Sequence, residues 1–156
     1  MVDHLRRTGA RALVFGMAFL AGGAHAHEPR DEAQGQTAIA RASSMLTATG
    51  MPDRLDFDFG GTKAWLREKG SWHIEGPVAH QGLLCATREL GVRFGVGNPG
   101  CTDVRWLSEV DYGTQQKQCN NATAMHSGGG FLPALEPDYL RITCAERVSK
   151  CSGNCK

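Results

Sequence analysis

The sequence predicts an α+β domain, with one N-terminal helix packed on a mostly antiparallel sheet and stapled by disulfides. Three observations lead there. Apolar residues recur at helical spacing only near the start of the chain, they alternate with polar residues along much of the remainder, and all six cysteines fall at or after Cys85. Turns rather than helices separate the alternating runs, and short turns join antiparallel neighbours because parallel ones need a crossover of about a dozen residues or more. An all-β sandwich or barrel is the alternative.

Residues 1–26 read as a secretory signal peptide. Arg6, Arg7 and Arg11 form its basic region, ALVFGMAFLA its apolar region, and Ala24-His25-Ala26 a small-residue cleavage site. The apolar run is too short to span a bilayer as a helix, which takes about 20 residues. Its removal takes away three of the 17 basic and one of the 16 acidic residues, so the remaining chain carries a net charge of about −1. That balance gives no electrostatic attraction for nucleic acid. Residues 27–32 then form a polar arm, and 33–156 a single domain.

Ile39, Ala42, Met45 and Leu46 share one face at three- and four-residue spacing, with Gly50 just beyond, which places the helix over 33–48. After Pro52 the period changes to two. Leu55, Phe57 and Phe59 alternate with Asp56 and Asp58, and two further strands flank a turn at 68–71. Leu90, Val92, Phe94 and Val96 give the clearest strand, ended by Asn98-Pro99-Gly100. Alternation returns over 104–112 and 140–144, separated by a glycine- and proline-rich loop over 114–138. A loop of that length in a small domain is uncommon and is either functional or disordered. Trp65, Trp72 and Trp106 fall on strands as core candidates.

An even number of cysteines in a small exported chain reads as a disulfide framework of Cys85, Cys101, Cys119, Cys144, Cys151 and Cys155. Six allow 15 pairings, and the spacing does not choose among them. It does place the staples in the C-terminal part, where the polar tail 150–156 needs tying down. Zinc on Cys144, Cys151 and Cys155 competes with disulfide formation there.

Three sets of residues could carry chemistry. Cleavage after Ala26 would leave His27 first, with an α-amine and an imidazole able to chelate Cu(II). That arrangement resembles the N-terminal histidine chelate of exported copper proteins. The second set is His73, Glu75 and His126, the last beside Ser127 and a glycine run able to donate N–H groups to an oxyanion. With Arg88 or Arg93, these acid–base groups on an antiparallel sheet resemble small secreted ribonucleases, which would imply phosphodiester cleavage. The third is Phe131 and Leu132, an apolar pair in the glycine-rich loop suited to gripping a partner.

No nucleophile–base–orienter set is evident in the sequence. The leading expectation is therefore a soluble periplasmic or secreted binding, accessory or inhibitor-like domain without catalysis and without a cofactor. Its partner would be another envelope or extracellular protein or a small ligand, with no nucleic acid and no membrane span after processing. A copper-binding protein using His27 and a small ribonuclease-like hydrolase are the alternatives.

Overall fold

The computed structural model describes residues 37–44 and 53–155. Among the described residues nine strands run β1 Thr37–Ser44, β2 Arg54–Asp58, β3 Lys63–Arg67, β4 Ser71–Ala79, β5 Ala86–Gly97, β6 Val104–Trp106, β7 Asp111–Gln118, β8 Thr123–Phe131 and β9 Cys144–Gly153. A 3-10 helix, Pro133–Arg141, precedes β9. Every pairing is antiparallel, in the order β6-β5-β9-β1-β2-β3-β4-β8, with β7 also paired to β5. The sheet curls into a half-barrel.

The N-terminal helix is thus corrected to a strand. Segment 37–44 ladders with β9 on one side and β2 on the other. Helical spacing puts Ile39 and Ala42 on one buried face, yet Ile39 is 48% exposed and Ala40 is the buried residue. Alanine favours a helix by only tenths of a kcal/mol over most residues, and pairing on both edges outweighs that preference. The predicted packing of a helix on a sheet therefore gives way to sheet alone, with the short 3-10 helix late in the chain. Met45 and Leu46, and the 27–32 arm with the leader before it, lie outside the described residues.

Two further expectations change. The 114–138 loop is occupied by the end of β7, all of β8 and most of the 3-10 helix. Residues 150–153 of the polar C-terminal stretch are the end of β9, a ten-residue strand between β5 and β1, and the Cys151–Cys155 disulfide closes a short loop there.

The core lies on the concave side. Leu55, Phe57, Leu66, Trp72, Ile74 and Phe94 alternate inward from their strands, and Phe57 packs on Phe94 with ring centroids 5.5 Å apart. The 3-10 helix plugs one end of the half-barrel. Its Leu135 and Tyr139 join the core, and Leu132 just before it donates its N–H to Gly70 O in the β3–β4 turn. Burial raises the Tyr139 hydroxyl pKa to about 12, so the phenol stays neutral in the core.

Strands β7 and β8 face each other across a seam. Asn120 and Asn121, both at positive φ, turn the chain between them. No ladder joins the two strands among the described residues, since β7 pairs with β5 and β8 with β4. Glycines bring them together instead: a Cβ on Gly128 would lie 2.1 Å from Gly113 O.

Candidate functional site

The β3–β4–β8 ladder sets Trp65 opposite His73, and Glu75 opposite Ser127, on the outer face of the sheet. His73 stacks on Trp65 at 5.5 Å, and Arg67 lies 5.2 Å above the same indole. His73 Nε2 is 3.2 Å from Ser127 Oγ, and Glu75 Oε2 is 3.9 Å from that same nitrogen. A serine–histidine–acid relay needs serine and acid on opposite nitrogens of the ring, so that one orients it while the other exchanges the proton. Here both approach Nε2. The neighbouring glycine run is strand, laddered to Trp72, His73 and Ile74.

His126 points to the other side of the sheet and is buried. Gln118 Nε2 donates to Val78 O at 2.9 Å, which leaves Gln118 Oε1 to accept from His126 Nε2 at 3.1 Å. The Nδ1 atom must then accept, and Thr114 Oγ1 at 2.9 Å donates to it while accepting from Leu90 N–H. The neutral Nε2–H tautomer satisfies every polar atom in this bridge across the seam. A second proton would leave the Thr114 hydroxyl without an acceptor. Burial accordingly lowers the His126 pKa below its ordinary 6.5.

A stability consequence follows from the sign of that shift. The unfolded chain takes up this proton more readily, so the contribution of His126 is fully present above about pH 6.5 and is lost as the pH falls toward the folded pKa. The urea midpoint is expected to fall between pH 7 and 5, with a smaller slope in His126→Gln. An unchanged slope in the variant would contradict the neutral bridge.

The structure therefore brings His73 and Glu75 together and holds His126 apart on the opposite face. The two arginines divide likewise. Arg93 lies over the Trp106 ring at 4.1 Å and pairs with Glu146, whereas Arg88 Nε donates to buried His80 Nδ1 at 3.3 Å. The acid–base set implied by the ribonuclease resemblance is thus distributed over two sides of the sheet. His27 lies outside the described residues. Among the described residues no cluster of three or more His, Cys, Asp or Glu is placed to hold a metal. The cysteines pair as Cys85–Cys119, Cys101–Cys144 and Cys151–Cys155.

Phe131 and Leu132 also separate. Phe131 ends β8 and is 60% exposed, whereas Leu132 packs against the core. A stronger apolar feature is the β4–β5 loop. Leu83 and Leu84 at its tip are 76% and 66% exposed. The loop around them is fastened at several points. His80 Nε2 donates to Leu84 O at 2.8 Å, and Gly82 and Asn121 exchange two bonds, Gly82 N to Asn121 Oδ1 and Asn121 N to Gly82 O. Asn154 Nδ2 donates to Cys85 O at 3.1 Å, and the Cys85–Cys119 disulfide ties the loop to the β7–β8 turn. The available signal was the adjacency of Gly82, two leucines and a cysteine. Among the described residues no helix is long and apolar enough to cross a membrane. Comparisons with protein-family models, curated proteins and solved structures give no match.

Proposed function

We propose that this chain is an exported, disulfide-stapled binding or inhibitor-like domain that acts without catalysis and grips a partner protein through Leu83 and Leu84. The observation that carries this reading is the presentation of two adjacent, exposed leucines on a loop held by a disulfide and side-chain hydrogen bonds. Scattered surface leucines are ordinary, but a contiguous pair on a fastened loop is a contact patch with little left to order on binding. Three disulfides fit an oxidising compartment, which supports the export expected from the leader.

Burying each leucine in a partner contributes roughly 1.5–3 kcal/mol. Replacing both by serine is therefore expected to weaken binding by about 100-fold or more while leaving the melting temperature unchanged. The partner is found by placing a photoreactive residue at position 83 in the cell that makes the protein, with exposed Arg105 as the control position. A discrete adduct from position 83 alone supports the proposal. Identical adducts from both positions, or none, would overturn it.

A further inference from the structure

The inner face of the half-barrel holds a cation that no carboxylate faces among the described residues. Register sets Arg147 of β9 beside core residue Val92, and Ser149 beside Leu90, so both side chains face inward. Arg147 reaches across the concave side to donate Nη2 to Pro77 O of β4 at 3.1 Å. Gln118 and Arg88 donate to Val78 O and His80 Nδ1 beside it, so long polar side chains from three strands converge on the end of β4. This is the end opposite the 3-10 helix plug.

The nearby acids are committed elsewhere. Glu146 and Glu89 face Arg93 and Lys150, Glu75 lies by His73, and Asp111 accepts from Trp72 Nε1 at 2.9 Å. Among the described residues Arg147 Nε is buried without a partner. Burial also lowers the Arg147 pKa, with no opposing charge contributing. A guanidinium carries five N–H donors in a planar fork, and one of them is used at Pro77. The unpartnered Nε–H, with an Nη–H beside it, is the pair of donors that a guanidinium offers to two oxygens of one anion.

We propose that this end of the half-barrel is a binding site for a small oxyanion, a carboxylate or phosphate group, with Arg147 as its fork and Arg88 supplying a second positive charge. The proposal does not rest on Leu83 or Leu84, although Arg88 reaches their loop through His80, which donates to Leu84 O. It reverses the usual expectation for its principal residue: without ligand, removing a half-buried unpaired charge stabilises the fold, and with ligand the same change removes the response.

Thermal unfolding and calorimetric titration with acetate, benzoate and inorganic phosphate, each against chloride at matched ionic strength, test this. The wild type is expected to gain about 10 °C at an anion concentration near one hundred times Kd. Arg147→Met is expected to melt higher than wild type without anion and to show no anion-dependent gain. Arg147→Lys, which keeps the charge and loses the fork, should bind at least about tenfold more weakly. A response confined to the carboxylates or to phosphate supports the site and identifies its ligand class. No wild-type response beyond chloride, or unchanged affinity in Arg147→Met, would overturn it. So would a lower ligand-free melting temperature in Arg147→Met, which would make Arg147 a structural clamp on Pro77.

Discussion

Replacing both Cys101 and Cys144 by alanine is expected to lower the unfolding free energy by about 4 kcal/mol, against about 2 kcal/mol for the Cys151 and Cys155 pair. The difference comes from the closed loops, whose ends are 43 and 4 residues apart. A cross-link over the longer span removes more freedom from the unfolded chain. Location adds to it. Cys144 is fully buried at the start of β9, and Cys101 sits at φ +52° in the β5–β6 turn, where Asn98 accepts from Thr102 N–H. Losing that tie frees the turn from the sheet and leaves a small void. Domains of this size have about 5–15 kcal/mol in total, so the first variant approaches the limit of folding. Urea titrations of the two double variants check the ordering; equal losses would refute it.

Gly128→Ala should cost about 3 kcal/mol, the upper part of the range for overpacking. Ordinarily, glycine to alanine stabilises by about 0.4–1 kcal/mol where the backbone permits it, because the unfolded chain loses freedom. At Gly128 the added methyl meets the Gly113 carbonyl, which is main chain and cannot rotate away. Gly61 provides the contrast, since a Cβ there would meet nothing within 4 Å and its φ is not positive. Gly61→Ala is expected to be neutral or stabilising by a few tenths of a kcal/mol. Thermal unfolding of the two variants should move in different directions, and similar behaviour would mean that the seam yields easily.

These two glycines also show what the sequence could and could not convey. Alternation of large side chains marks β2, β3, β4 and β5, because Leu55, Phe57, Leu66, Ile74, Leu90 and Phe94 face one core. Strand β8 carries Ser127 and three glycines where a pattern would be read, so its pairing with β4 has no side-chain signature. Strand β9 is obscured for a different reason: Arg147 and Ser149 occupy inward positions that would ordinarily be apolar. At the other end of the chain, alanine-rich β1 imitates a helix because its small residues fit either period. Within the candidate sites, the shared face of His73 and Glu75 follows from their spacing by two. The enclosure of His126 by Thr114 and Gln118 depends on how the seam closes, and the prominence of Leu83 and Leu84 on where their loop is fastened.

The position of β1 bears on when folding can finish. It lies between β2, which soon follows it in the chain, and β9, which comes last of all the strands. The hairpins from β2 to β4 can assemble from neighbouring sequence, but the join through β1 and β9 spans more than a hundred residues. Contacts at that separation form late and slowly. The half-barrel therefore becomes complete only after its last strand is free to pair with β1 and β5.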